Sequence, residues 1–134
     1  MRRAVPIAGL VLILSLGATA SPAQTPNAAW QSTPASVLKS ALRNMVAAQD
    51  DYRAKNAKFA GSVELLRLNP GSDVRVQILA ATEGGWRAKA THRARPGRSC
   101  VVFVGKVTAA EAPRTDGDGE MAGEERVPLC DRME

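Results

Sequence analysis

The sequence predicts an α+β fold: one long N-terminal helix packed on a three- to four-stranded antiparallel sheet, with a disulfide closing a C-terminal loop. Between residues 34 and 56, apolar residues recur at intervals of three and four, which is the spacing of one buried helix face. After residue 74, short segments alternate between apolar and polar residues, as half-buried strands do. An amphipathic helix and a sheet with one apolar face bury each other in two layers.

Residues 1–20 have the pattern of a signal peptide. Arg2 and Arg3 form a positive n-region, residues 5–16 are mainly apolar, and residues 18–20 fit a signal-peptidase site. The alternative is a membrane anchor, but the apolar run is shorter than the roughly 17–25 residues that span a bilayer. We therefore expect a periplasmic or secreted protein whose mature chain begins near Ser21 and contains no transmembrane segment.

Residues 21–33, SPAQTPNAAWQST, are rich in Pro, Ser and Thr and are expected to form a flexible leader. The domain proper is expected to occupy residues 34–134. Its helix should begin after Thr33, a good N-cap, with Pro34 in the first helical position, and Asn56 fits its end. The predicted buried stripe consists of Leu38, Ala41, Leu42, Met45, Ala48, Gln49 and Tyr52.

Three strand signals follow a structured loop, and each has its own pattern. The first strand, residues 74–80, should bury Val74, Val76, Ile78 and Ala80. The second, residues 86–93, should direct Trp86, Ala88, Ala90 and His92 inward. Gly84 and Gly85 between them suit a tight hairpin turn. The third strand, residues 99–107, is apolar on both faces and should be the central or best covered one, and a short fourth strand is expected near residues 126–129.

The only two cysteines, Cys100 and Cys130, lie in the part of the chain that is predicted to be exported. Oxidising conditions there favour a disulfide between them. On the chain-entropy model, closing a loop of about 30 residues stabilises the fold by roughly 3–4 kcal/mol. A redox or metal site would call for a Cys-x-x-Cys motif or clustered His and Cys residues, and the sequence has neither.

Charge is distributed unevenly along the predicted mature chain. Residues 21–110 carry 13 Lys and Arg against 5 Asp and Glu, whereas residues 111–134 carry 3 against 8. Five cations are predicted to cluster on the outer side of the hairpin: Arg87, Lys89, Arg93, Arg95 and Arg98. This surface is either a solvated face, partly neutralised by the acidic segment that Cys130 tethers, or a binding site for an anionic partner such as nucleic acid, polysaccharide or an acidic protein surface.

Catalytic chemistry is not expected. The single histidine, His92, fits a structural, hydrogen-bonded role, since no nucleophile or carboxylate is arranged with it at a recognisable spacing. Asp50 and Asp51 are adjacent on the predicted helix, so their side chains point about 100 degrees apart and cannot act as an acid/base pair.

An acidic loop provides weak candidate ligands for calcium, although no metal or cofactor is otherwise predicted. Asp116, Asp118 and Glu120 place three carboxylates at alternate positions in TDGDGE. The EF-hand pattern fails, because Met121 occupies its sixth position and Val127 its twelfth. The alternative is a solvated acidic loop.

Several segments in order resemble the globular domain of type IV pilins and pseudopilins. They are AAQDDYRAKNAKFAGSVELL, GGWRAKATH, SCVVFVG and the late Cys130, covering roughly residues 36–108 and Cys130. In that family the helix commonly runs through Ala-Gln-acidic-x-Tyr, then an asparagine, an aromatic and a small residue, before a loop that ends in leucines. The matching residues are Ala48, Gln49, Asp50, Asp51, Tyr52, Asn56, Phe59, Ala60, Leu65 and Leu66. The resemblance implies a pilin-like fold, and calcium binding in the C-terminal loop of major pseudopilins adds some weight to the calcium interpretation.

The resemblance stops before the helix begins. Pilins and pseudopilins have a peptidase site before a phenylalanine, a glutamate five residues into the mature chain and an unbroken apolar helix that polymerises the subunit. This sequence has a Pro-rich segment in that place. We therefore expect a monomeric or weakly associating interaction module that docks on a pilus, secretion apparatus or envelope partner, with binding of DNA or polysaccharide through the basic hairpin face as the alternative.

Overall fold

The computed structural model describes residues 32–106, 108 and 110–133. The elements in chain order are α1 (Pro34–Asn56), a short 3₁₀ helix (Glu64–Leu66), β1 (Val74–Ala81), β2 (Gly85–His92), β3 (Ser99–Gly105) and β4 (Leu129–Cys130). The strands form one antiparallel sheet in the order β1-β2-β3-β4. The α+β prediction of one helix, a four-stranded antiparallel sheet and a disulfide is confirmed. The predicted signal peptide and nearly all of the predicted flexible leader lie outside the described residues.

Both ends of α1 follow from local sequence. The Thr33 hydroxyl accepts a hydrogen bond from the Ser36 N–H at 3.1 Å, and Pro34 begins the helix, where its missing N–H leaves no helical bond unmade. After Asn56 the chain turns through Ala57 in the left-handed conformation, whose N–H donates to the Arg53 carbonyl at 2.8 Å. No helix in the described residues is long and apolar enough to cross a membrane.

One side of the sheet packs on α1 and forms the core. Leu38, Leu42 and Met45 of the helix are fully buried. They belong to one apolar cluster with Trp86, Ala88, Ala90, Cys100, Val102 and Val104 of the sheet. The predicted stripe is wrong at two positions, because Ala48 and Tyr52 are half-buried and Val46 is buried instead.

The inner strands match their predicted burial closely. Trp86, Ala88 and Ala90 of β2 are buried, and β3 is buried at five of its seven positions and lies between two other strands. His92, which was expected to face inward, is half-buried at the end of β2, and its Nδ1 accepts a hydrogen bond from the Ala94 N–H at 3.0 Å.

A bulge in β1 corrects the predicted face of Ala80. The pairing with β2 shifts between Ile78 and Ala80, so that Ala80 lies opposite Arg87 and Ala81 lies opposite Trp86. Leu79 is the extra residue and is exposed. Because one inserted residue inverts a strand's alternation, Ala81 rather than Ala80 packs against the core.

The strand ends also differ by a few residues from prediction. The hairpin closes with a Thr82 N–H to Gly85 carbonyl bond of 2.8 Å, so Gly85 belongs to β2 rather than to the turn. A side chain at Gly85 would collide with the Val104 carbonyl oxygen, which explains the glycine. The third strand ends at Gly105 instead of continuing to residue 107, and the fourth comprises only Leu129–Cys130.

Candidate functional site

Residues 111–131, called the acidic segment, include β4 near their end. The part of this segment that precedes β4 covers β2 and β3 on the side of the sheet that faces away from α1, called the outer face here. Side chains alternate along a strand, so Arg87 and Lys89 of β2 share the outer face with Val101 of β3. Val101 is fully buried, although its side chain lies on the other side of the sheet from the core that packs on α1. Thr115 and Ala122 of the acidic segment are also buried. The segment is therefore a packed third layer over half of the sheet.

Three of the five predicted cations bind this segment. The Lys89 ammonium lies 3.1 Å from a carboxylate oxygen of Asp116, and Arg98 lies 2.7 Å from Asp118. The Arg87 guanidinium donates a hydrogen bond to the backbone carbonyl of Glu111. These contacts place negative charge from the C-terminal segment directly on the basic outer face.

The other two predicted cations lie at the end of the hairpin, away from the acidic segment's ion pairs. Arg93 is 3.8 Å from Asp73, and its side chain is 82% exposed. Arg95 donates to the Met133 carbonyl at 3.1 Å and to the Ala94 carbonyl at 3.0 Å. The structure thus divides the predicted basic cluster into a covered part and an open part.

Asp131 anchors the acidic segment to β3. One oxygen, Oδ2, accepts hydrogen bonds from the Ser99 and Gly117 N–H groups at 2.8 Å each, and Oδ1 accepts from the Asp118 N–H at 2.6 Å. The backbone N–H of Asp131 donates to the Ser99 carbonyl at 2.9 Å. One buried carboxylate therefore extends the β3–β4 ladder and fixes the 116–118 turn.

Hydrogen bonding lowers the pKa of two neighbouring carboxyl groups, those of Asp131 and Asp118. Burial raises the pKa of Asp131, but the bonds from Thr115 and from the Asp118, Gly117 and Ser99 amides outweigh it and hold that pKa below its ordinary value. The pKa of Asp118 is lowered by the Arg132 N–H, which bonds its Oδ2 at 2.8 Å, and by Arg98. Both side chains are anionic at neutral pH.

Two of the three candidate calcium ligands have their carboxylates in ion pairs. Asp116 pairs with Lys89 and Asp118 with Arg98, while the backbone of Glu120 bonds to Thr115. Among the described residues, no group of three or more Asp, Glu, His or Cys side chains converges on a position that could hold a metal ion. These contacts lend the calcium interpretation no support.

The predicted disulfide is present. Cys100 and Cys130 lie directly opposite each other in the β3–β4 pair, with their Cα atoms 4.0 Å apart. The bridge closes the chain around the acidic segment and lies next to the Asp131 anchor. Covalent and hydrogen-bonded restraints therefore act on the same end of the segment.

Among residues 32–106, 108 and 110–133, β1 pairs with β2 on one side and with no strand on the other side, which is called the free edge here. The Arg93 N–H donates to the Asp73 carbonyl at 2.8 Å, which makes this a hydrogen-bonded pair. Hydrogen-bonded and non-hydrogen-bonded residue pairs alternate along antiparallel strands. The N–H groups of Arg75 and Gln77 therefore bond to β2, whereas those of Val76 and Ile78 point to the open edge. A groove of about 490 Å³ runs between this edge and residues 61–64.

A second groove, of about 390 Å³, lies where β1 begins, and four basic side chains line it. Arg93 and Arg95 were predicted in the basic cluster. Arg75 and His92 join them because β1 pairs with β2 in a register that sets Val74 opposite His92. Asp73 is the one acidic residue among the lining residues.

Sequence reasoning missed two residues that organise these surfaces. Asp131 gives no local signal beyond its position next to Cys130, and its bonding partners are 13 to 32 residues away. Arg126, with a φ of 70°, pairs with Asp50 of α1 and donates its N–H to the Phe103 carbonyl at 2.9 Å. The sequence predicts that Gln49 is buried but does not identify its partner: the Gln49 side-chain amide bonds both the N–H and the carbonyl of Ala60, at 2.7 and 2.9 Å.

Comparison with known proteins finds no protein-family model and no curated protein that matches this chain.

Proposed function

We propose that this protein is an exported, non-catalytic, pilin-like interaction module that docks a protein partner of the envelope, such as a pilus or a secretion apparatus, through the free edge of β1. The observation that carries the proposal is the pair of outward N–H groups at Val76 and Ile78 beside an open groove. An unpaired strand edge is a ready template for an added strand from another protein.

The side chains along this edge support docking as well. Arg75 and Gln77 are exposed on the outer face, whereas Val74, Val76 and Ile78 are half-buried beside the core. A partner strand would form main-chain bonds with β1 and cover apolar side chains on one of its faces. The non-catalytic part of the proposal rests on His92 and Asp50, whose side chains bond to the Ala94 N–H and to Arg126.

Site-specific photo-cross-linking in cells that produce the protein tests the docking edge. A photoreactive phenylalanine analogue at Gln77 should give one discrete adduct, which mass spectrometry identifies as an envelope protein. The same analogue at Arg43, which is exposed on α1, is the matched control and should give none. Equal adducts at the two positions, or none at Gln77, would contradict the proposal.

A proline at position 76 sharpens the test. Val76→Pro removes an outward N–H and leaves the β1–β2 ladder bonds of Arg75 and Gln77 in place. It should abolish the Gln77 adduct while the protein still melts cooperatively. An undiminished adduct would show that the contact does not use strand pairing.

As a second candidate function, we propose that the open groove at the start of β1 binds an anionic polymer, DNA or polysaccharide. Arg75, Arg93, Arg95 and His92 line the groove, and Arg93 is largely exposed. This is a smaller and differently placed site than the five-cation face, because Arg87, Lys89 and Arg98 are engaged by the acidic segment.

Salt-dependent binding to duplex DNA and to heparin tests this second candidate. The double variant Arg75→Gln/Arg93→Gln should weaken binding and reduce the slope of log K against log salt by about 2 for DNA. Arg43→Gln/Lys58→Gln removes the same charge from exposed positions elsewhere and should leave the slope nearly unchanged. Equal losses in the two variants would indicate a non-specific effect of net charge.

A further inference from the structure

The covered part of the outer face has the chemistry of a carboxylate-binding surface. Lys89 and Arg98 each hold one carboxylate, from Asp116 and Asp118, and these acceptors are two residues apart in one turn. Arg87 adds a third donor that reaches the Glu111 carbonyl. The contacts with the acidic segment therefore indicate that this face binds carboxylates.

The backbone of the 116–118 turn and the side chains of Asp116 and Asp118 are held by different contacts. The 116–118 turn is fixed by the buried Asp131 carboxylate, through the Gly117 and Asp118 N–H groups. The Asp116 and Asp118 side chains are 37% and 28% exposed, and their cationic partners are also partly exposed. Ion pairs with this exposure contribute little individually. The Asp116 carboxylate can therefore exchange with one from another molecule, and so can the Asp118 Oδ1 contact with Arg98. Meanwhile Asp118 Oδ2 keeps its bond to the Arg132 N–H and the segment stays anchored.

We infer that Asp116 and Asp118 act as built-in competitors that mask Lys89 and Arg98, and that the outer face binds an acidic segment of another protein when it displaces these two side chains. The contact is autoinhibitory, because an external ligand must replace internal carboxylates at a high effective concentration. This inference uses residues outside the free edge and outside the open groove, so it stands or fails separately from both proposed functions.

Removal of the internal competitors tests the inference. Asp116→Asn/Asp118→Asn keeps side-chain shape and the Asp131 anchor but removes the one ion-pair partner that Lys89 and Arg98 each have within the described part of the chain. Glu120→Gln/Glu124→Gln is the matched control, since it changes the net charge equally in the same segment and neither residue forms an ion pair among the described residues. The probe is poly-L-glutamate at low ionic strength, with fluorescence anisotropy as the readout.

We expect the Asp116→Asn/Asp118→Asn variant to bind poly-L-glutamate about tenfold more tightly than the wild type. The control should stay within about twofold of the wild type, since it unmasks no cation. Adding Lys89→Gln/Arg98→Gln to the first variant should return binding to the wild-type level. Equal gains in the test and control variants, or no gain in either, would overturn the inference.

Two further measurements separate unmasking of the cations from unfolding and from a general affinity for polyanions. Thermal melts establish that the variants are folded, and Asp116→Asn alone, which unmasks only Lys89, should give an intermediate gain. Heparin serves as a second probe: a gain for heparin without one for poly-L-glutamate would assign the face to anionic polysaccharide and would reject an acidic protein segment.

Discussion

Asp131 links three parts of the molecule through one carboxylate. It accepts hydrogen bonds from a β3 amide and from two amides of the 116–118 turn, and it lies immediately after the disulfide. Such bonds are strong, because the acceptor is charged and only 3% of the residue is exposed. Any replacement that cannot accept all of them leaves backbone donors unpaired, and the Ser99 donor is buried.

Asp131→Asn should therefore destabilise the protein by about 2 kcal/mol. In asparagine an amide nitrogen, which donates rather than accepts, replaces one of the two carboxylate oxygens. The backbone N–H groups that bond to that oxygen would then lose their acceptor. Chemical denaturation of wild type and variant measures the difference at neutral pH. Glu124→Gln, an exposed change in the same segment, is the control and should shift the free energy of unfolding by less than about 0.5 kcal/mol.

The same substitution should also change the acid dependence of stability. Because the folded-state pKa of Asp131 is lowered, the ionised carboxylate stabilises the fold above its unfolded-state pKa, and this stabilisation disappears as the pH falls through the folded-state pKa. Asp118 acts in the same direction. The wild-type free energy of unfolding should fall from about pH 5 downward, and the Asp131→Asn variant should lose less over that range. Parallel profiles would contradict this account.

Gln49 is a second residue whose side chain contacts a distant part of the chain, the backbone of Ala60. Its side-chain amide is fully buried and satisfies both backbone groups of Ala60, so it fixes the loop that leaves α1. Gln49→Leu should cost about 2–3 kcal/mol, because the Ala60 N–H and carbonyl would remain buried without partners. The exposed change Asp51→Asn, two residues further along α1, should be nearly neutral. Denaturant midpoints of the two variants provide the comparison, and similar values would show that the loop relaxes to reach water.

At the scale of single elements, β1 is one of the two edge strands of the described sheet, and with eight residues it has a longer unpaired side than the two-residue β4. Its bulge at Leu79 inverts the alternation for its last residues, so Ala81 and not Ala80 meets the core. The open side precedes the bulge, where the strand is regular and the groove beside residues 61–64 gives access to it. The bulge therefore limits the length of strand that a partner can pair with.

Amide exchange should reveal this alternation directly. The N–H groups of Arg75 and Gln77 bond to β2, whereas those of Val76 and Ile78 point to the open edge. In the free protein, Val76 and Ile78 should exchange on the order of 100-fold faster than Arg75 and Gln77. Hydrogen–deuterium exchange followed by NMR measures each amide. Uniform protection along the strand would mean that the edge is already covered, by a second copy or by another part of the chain.

At the scale of the whole molecule, the sheet lies between two unlike layers. An apolar helix face covers one side, and a polar, acidic segment covers half of the other. The segment contains few apolar residues, but the Asp131 bonds, the ion pairs to Lys89 and Arg98, and the disulfide together hold it on the sheet. The basic charge of residues 21–110 is thereby partly neutralised within the molecule.

Reduction of the Cys100–Cys130 bridge should lower stability by roughly 2–5 kcal/mol, because the unfolded chain regains the freedom of a long loop. Since Asp131 and the ion pairs remain, the acidic segment should loosen without separating fully, and proteolysis should begin within residues 111–131 before α1 and the hairpin unfold. Limited proteolysis of oxidised and reduced protein, with mass mapping of the first cuts, measures this. First cuts within α1 would contradict the assignment of the segment as the least stable layer.

The sequence by itself determined the features that depend on neighbouring residues. Thr33 and Pro34 set the start of α1, the spacing of Leu38, Leu42 and Met45 set its buried face, and alternation in β2 set which side meets the helix. The two cysteines indicated their own pairing, since the sequence contains no other partner for either. These features could be predicted because a helix repeats every 3.6 residues and a strand every two, so that a short window contains the whole signal.

Only the tertiary structure decided which cations are masked and which are open. Lys89 and Asp116 are 27 residues apart, and Asp131 and Ser99 are 32 apart, so their contacts depend on how β3, β4 and the acidic segment fold back on one another. The bulge at Leu79 likewise depends on the register in which β1 pairs with β2. The residues of β1 alone contain no pattern that predicts it. The five cations look alike in sequence, and their different environments arise because electrostatic pairing follows distance in space rather than distance along the chain.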